Sequence, residues 1–193
     1  MRLVGEESRK TYEDKLKNGF FEKYMSGEGL DIGFSGYLDN VVPILENAIG
    51  VDTNYPGYDG KTLPFEVCSQ DYVYSSHCLE HIQDYKKAIQ EWFRVTNVGG
   101  HVIIVVPHQY LYEKRKNLPS RWNGDHKRFY TPSSLLKEVE ESLPTNTYRV
   151  RFLEDGDKDF DYSIDPTQHS KGQYEITLVI QKIIPASWEL DNV

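Results

Sequence analysis

Three side chains able to hold a metal or move a proton fall within five residues: His77, Glu80 and His81. On a helix, His77 and His81 (i, i+4) share a face and Glu80 lies beside His77 at i+3. As His-x-x-Glu-His the segment matches the inverted zinc-peptidase motif. That motif belongs inside a long helix, whereas here it directly follows the apolar run Tyr72–Ser76. The plain alternative is a helix start at which His81 packs or caps. A fourth candidate is His126, in the run Asn123–Thr131. A neutral imidazole near pH 7 suits removal of a hydroxyl proton, with Asp125 as a neighbour. Its plain alternative is a loop anchor.

A second constellation is spread further along the chain. Residues 29–36 read Gly-Leu-Asp-Ile-Gly-Phe-Ser-Gly, and Asp52 follows Asp31 by 21 positions. Glycine permits a tight turn and close backbone approach to a ligand. A carboxylate at the end of the next strand can accept both hydroxyl protons of an adenosine ribose. The dinucleotide fingerprint needs a middle glycine and backbone N–H groups free for a pyrophosphate. Here the middle glycine is missing, and Asp31 would repel pyrophosphate while attracting a cation such as the amino group of a methionine moiety. The pair of acids therefore favours S-adenosylmethionine over NAD; otherwise both acids merely cap strands.

These residues need elements to position them. The stripe Tyr12, Leu16, Phe20, Tyr24 predicts an N-terminal helical segment, divided at Asn18-Gly19. Gly29–Gly33 and Ala48–Asp52 predict short strands, Leu38–Asn47 a short helix limited by Pro43, and Thr53–Glu66 a loop. Tyr72–Ser76 predicts a strand. Ile82, Tyr85, Ala88, Ile89, Trp92, Phe93 and Val95 then mark a helical face with Asp84 as N-cap and Gly99-Gly100 as stop. The continuous apolar run 101–107 predicts a strand buried on both faces. Thr131-Pro132 caps a helix reaching about Leu143, and 148–153 with 174–180 alternate like an antiparallel pair. The sum is a doubly wound, mostly parallel seven-stranded α/β sheet with a C-terminal antiparallel hairpin.

Leu30–Gly33, Gly50–Asp52, Leu63–Phe65, Tyr74–His81 and Arg94–Gly100, in that order over roughly residues 25–107, resemble class I S-adenosylmethionine-dependent methyltransferases of the type-11 group. The resemblance implies a Rossmann-like fold. It places Asp31, Gly33, Phe34, Ser35 and Gly36 at the methionine part, Asp52 and Thr53 at the ribose, and Lys61 and Leu63 near adenine, with Ser76 and His77 closing the far side. Where this chain has Ser35 and Tyr37 the family usually carries glycine, so both side chains crowd the methionine pocket. Segment 77–81 is also similar to the Glu-x-x-Glu-His metal motif of ubiquinone-pathway and small-RNA methyltransferases. His77 replaces the first Glu, which suits Zn²⁺ or Mn²⁺ better than Mg²⁺.

A formal net charge of −8 argues against a nucleic-acid partner, which requires a clustered basic surface. No apolar run approaches the roughly 20 residues that span a bilayer. Cys68 and Cys78 fit no metal or disulfide pattern, as expected of a cytoplasmic protein. The acidic run 154–165 lacks the pattern of a calcium-binding loop and reads as a solvated excursion. The expected organisation is one methyltransferase domain over 1–193, with an N-terminal helical segment (1–26), a cofactor-binding half (27–107) and an acceptor-side half (108–193). Its expected activity is methyl transfer to O or N of a small molecule. The resemblance of 125–131 to carbohydrate-associated methyltransferases points to a sugar or glycan intermediate, and His108, Tyr110, Tyr112 and Trp122 could line the acceptor pocket. From a different class, Ser35 and Tyr37 motivate a non-catalytic cofactor- or partner-binding module of the same fold.

Overall fold

The computed structural model describes residues 2–186. Its elements run α1 (Arg9–Lys17), α2 (Phe20–Tyr24), β1 (Gly29–Ile32), β2 (Ala48–Val51), β3 (Gln70–Ser76), α3 (Tyr85–Val95), β4 (Thr96–Pro107), α4 (Pro132–Ser142), β5 (Tyr148–Gly156) and β6 (Glu175–Lys182). The sheet order is β2-β1-β3-β4-β6-β5; β6 is antiparallel to β4 and to β5, and the remaining pairs are parallel. Strand order reverses at β1, whose successors lie on opposite sides of it. A crevice therefore opens beyond the carboxyl ends of β1 and β3, where Gly33 and Ser76 sit.

The burial of β4 explains its apolar run. Side chains alternate across a strand, so Val102, Ile104 and Val106 join the core with α3 and α4, through Ile89, Trp92, Leu135 and Val139. Ile103 and Val105 point the other way, into a core with Tyr12, Phe20, Phe21 and Tyr24. Gly19, with φ 69°, divides α1 from α2 as the Asn18-Gly19 pair predicts. Leu16 leaves the predicted stripe and is exposed.

Several local expectations are corrected. The described sheet has six strands rather than seven. No helix forms over 38–47: Asn40 has φ 68°, Val42 N–H is taken by the Leu3 carbonyl, and Ile44 N–H by the Asp31 carboxylate. Backbone donors committed outside the segment cannot close helical turns. Helix α3 ends at Val95, four residues before Gly99, where the Thr96 hydroxyl bonds the Trp92 carbonyl and β4 begins at once. Asp84 caps the start of α3 by accepting from Lys87 N–H, and Thr131 with Ser134 forms a capping box on α4. Strand β5 extends to Gly156 and so absorbs the beginning of the acidic run. Among the described residues, no helix is long and apolar enough to cross a membrane.

Candidate functional site

The end of β1 carries the first acid. Asp31 is buried and accepts Ile44 N–H at 2.7 Å, and burial pushes its carboxyl up to about 7, with the nearby Asp52 charge adding to the rise. The chain then turns at Gly33, with φ 74°. A Cβ there would lie 2.6 Å from Cys78 Sγ, so only glycine fits. Ser35 also adopts positive φ, 67°, in the place where the family carries glycine. Tyr37 is 69% exposed and stands at the rim of the cavity beside this loop. The Phe34 ring lies against Gly36 and Gly50, and a Cβ on Gly50 would come within 2.5 Å of it.

The second acid, Asp52, follows β2. Its Oδ2 accepts Gly36 N–H at 3.2 Å and its Oδ1 accepts Thr53 N–H at 2.7 Å. The acid at the end of β2 thus bonds directly to the loop after β1. Further on, the Asp59 carboxylate accepts Lys61 and Thr62 N–H groups, Lys61 is exposed, and Leu63 is buried with its N–H on Glu91.

The end of β3 carries the histidine-rich group. His77 has φ 50°, and only a single 3₁₀ turn, Leu79–His81, follows. His77 and His81 therefore do not share a helix face. Instead His77 Nε2 lies 3.4 Å from Glu175 Oε2 on β6, while its Nδ1 is 3.8 Å from Glu80. Burial opposes protonation of His77, but the hydrogen bond to Glu175 and the charges of Glu80 and Glu175 raise its pKa overall. His126 takes the place His77 was expected to fill. Ligand atoms of Glu80, His81 and His126 all lie within 4.8 Å of one another. Glu80 is 1% exposed, and neither of its carboxylate oxygens has a hydrogen-bond partner. Burial raises its pKa, and burial together with the neighbouring His126 drops His81 to about 4.

Sequence reasoning overlooked the residues that hold this cluster. His126 Nδ1 is hydrogen-bonded to the buried Glu113, on a single π-helical turn (Gln109–Glu113), rather than to the exposed Asp125. Arg128 donates to the carbonyls of Leu79 (2.9 Å), Ile82 (2.6 Å) and Gln83 (2.9 Å), clamping the turn that bears Glu80 and His81. The bond from Lys127 N–H to the Glu80 carbonyl adds a further tie. Neither Glu113 nor Arg128 stands in a recognisable motif, and Lys114-Arg115-Lys116 directly after Glu113 gives no sign of its burial.

The Asp31–Ser35 part of the loop constellation and the histidine group face one cavity of about 310 Å³, which Gly36 and Asp52 do not line. Asp31, the Gly33–Ser35 backbone and Ser76 line one side, and His77, Glu80, His81, Tyr112 and His126 the other, with residues 4–8 as a further wall. The Ser76 hydroxyl is buried without a partner. His108 and Trp122 do not line this cavity. His108 Nδ1 accepts the Tyr110 and Leu111 N–H groups, and Trp122 Nε1 donates to the Tyr112 carbonyl. A larger cavity of about 490 Å³ lies between α1/α2 and β5/β6, away from Asp31 and Asp52.

Residues 38–104 match a family model described as a methyltransferase domain. No curated protein matches the chain in sequence. Among solved structures, the methyltransferase in complex with the Haloferax volcanii Trm112 activator superposes with TM-score 0.60 at 14% identity, covering 94% of this chain and 93% of that one. An S-adenosylmethionine-dependent methyltransferase from Clostridium acetobutylicum gives 0.56 at 14% identity, covering 91% and 92%. Another from Thermotoga maritima gives 0.54 at 15%, covering 90% of each chain. At these identities the superpositions show a shared fold.

Proposed function

We propose that this chain, which shares the fold of S-adenosylmethionine-dependent methyltransferases and matches a methyltransferase-domain family model over residues 38–104, methylates a hydroxyl of a small uncharged acceptor, in the cavity between the Gly33–Ser35 loop and Glu80, His81 and His126. The single observation that carries this reading is that one cavity is lined by both groups. The polar atoms of the site fit the cofactor. Asp52 uses one lone pair on each oxygen for backbone N–H groups, leaving the others for ribose hydroxyls. Asp31, buried at the loop, is placed for an ammonium group, and the unpartnered Ser76 hydroxyl faces the same cavity.

S-adenosylmethionine supplies a methyl group on a sulfonium, open to in-line attack by a nucleophile. The protein's part in such a displacement is chiefly positioning. Asp31 and Asp52 would hold the methionine and ribose parts of the cofactor, and the ends of β1 and β3 carry the residues that would orient it. The acceptor's proton is the remaining problem. Glu80, His81 and His126 form a donor set of mixed nitrogen and oxygen that suits Zn²⁺ or Mn²⁺, and such an ion would lower the pKa of an acceptor hydroxyl. Glu80 is compatible with this reading: a buried carboxyl without hydrogen bonds is relieved either by a cation or by keeping its proton, and burial raises its pKa. Glu113 behind His126 completes the carboxylate–histidine pairing common around metal ligands. In a metal-free enzyme the same Glu113–His126 pair would take the proton directly.

A sugar hydroxyl remains the preferred acceptor, on the likeness of segment 125–131 to carbohydrate-associated methyltransferases. The cavity disfavours an anionic acceptor: Glu6, Glu7, Asp31 and Glu80 line it, with no Lys or Arg. Methyl transfer from radiolabelled S-adenosylmethionine to a panel of sugars, and to the same sugars phosphorylated, tests this. Transfer only to phosphorylated members would refute it.

A further inference from the structure

Helix α1 buries Thr11, Tyr12 and Lys15, so its seat on the sheet is more polar than apolar. Lys15 is the centre of that seat. Its Nζ donates to Thr11 Oγ1 at 2.8 Å and to Glu175 Oε1 at 2.6 Å, with both partners of the ion pair buried. The other oxygen of Glu175 faces His77 Nε2 at 3.4 Å. One carboxylate at the start of β6 thus touches α1 on one side and the cavity wall on the other. The preceding residue acts in parallel: the Tyr174 hydroxyl donates to Glu7 Oε2 at 2.9 Å. Glu7 belongs to segment 4–8, which forms a wall of the same cavity. Beside these contacts, Tyr12 packs with Phe20, Phe21 and Tyr24 against Ile103 and Val105, and Asp14 accepts from Lys158 and Gln173, while a 490 Å³ cavity separates the rest of α1 and α2 from β5 and β6.

Resting on the reading of the smaller cavity as the transfer site, we propose that Lys15 and Glu175 are positioning residues that seat α1, and with it the 4–8 wall of that site, and orient His77 within it. Glu175 touches no reacting group; it acts through His77 and through α1. Occupation of the cavity and seating of α1 then become one event, because each requires the same carboxylate geometry. A buried ion pair is a poor source of net stability but a good source of a unique arrangement.

Hydrogen exchange of the full-length chain, with and without S-adenosylhomocysteine, tests this. Lys15→Met is expected to speed exchange by at least about tenfold over 4–17 and, across Glu175, over 76–81, with β4 unchanged. Lys15→Arg is expected to keep wild-type protection. Faster exchange in Lys15→Met confined to 9–17, or none, would overturn the proposal and make Lys15 a simple helix anchor. Should Lys15→Met not fold, Lys15→Met/Glu175→Gln removes both charges; it supports the proposal if 4–17 exchanges faster than in the wild type and overturns it if not. S-adenosylhomocysteine is expected to slow exchange over 4–17 in the wild type, and equal slowing in Glu175→Gln would also overturn the proposal. Absence of binding to the wild type would instead refute the cofactor reading, leaving the latch to be judged on the ligand-free exchange.

Discussion

Gly36 N–H donates to the Asp52 carboxylate across 3.2 Å, tying the loop after β1 to the acid that ends β2. The Phe34 ring lies against Gly36 and Gly50. The loop is therefore packed on its own aromatic side chain.

Gly50→Ala should consequently be destabilising. Its Cβ would come within 2.5 Å of the Phe34 ring, and overpacking of this kind costs about 1–3 kcal/mol. Adding Phe34→Leu should recover most of the loss. Thermal unfolding of the two variants checks this; equal destabilisation in both would show that the ring is not the obstacle.

Asp31 makes both stability and binding depend on pH. Its folded-state pKa is raised from 3.8 to about 7. The folded chain thus holds this proton more tightly, and the resulting stabilisation is present below pH 3.8 and lost as pH rises through 7. The loss, on the order of 4 kcal/mol, should be absent in Asp31→Asn, whose stability should depend less on pH between 4 and 7. A cationic ligand group prefers the ionised carboxylate, so affinity for S-adenosylmethionine should rise from pH 6 to pH 8 with release of a proton. Calorimetry in buffers of different ionisation enthalpy measures that release; pH-independent affinity would remove Asp31 from the cofactor site.

Glu113 and Arg128 should matter to metal retention without touching the ion. Glu113→Gln deprives His126 of its carboxylate and should weaken Mn²⁺ or Zn²⁺ binding by about 10- to 100-fold. Arg128→Ala frees the turn bearing Glu80 and His81, and should lower affinity while costing about 1–3 kcal/mol of stability through the carbonyls left unpaired. Metal titration of the chelator-treated protein checks both. Wild-type affinity in Glu113→Gln would favour the metal-free reading, with His126 acting as a base.

The sequence made some of this legible and hid the rest for physical reasons. Strand β4, α3 with Asp84, and the Thr131 capping box are local patterns, and the structure has them. The acids Asp31 and Asp52 were visible because each ends an apolar strand. The histidine group was only half visible. His77, Glu80 and His81 are neighbours in sequence, but the positive φ at His77 and the short 3₁₀ turn separate their faces, and β6 captures His77 through Glu175. His126 and Glu113 join only when the chain returns past the end of β4, a long-range contact without a spacing signature. The missing helix at 38–47 has the same origin, since Asp31 and Leu3 take its backbone donors.

Calorimetric titration of the purified protein with S-adenosylmethionine tests the central claim most directly. The account predicts saturable one-to-one binding by the wild type, weakened by about 10- to 100-fold in Asp52→Ala, the worth of hydrogen bonds to a charged acceptor. No binding by the wild type, or undiminished binding in Asp52→Ala, would contradict it.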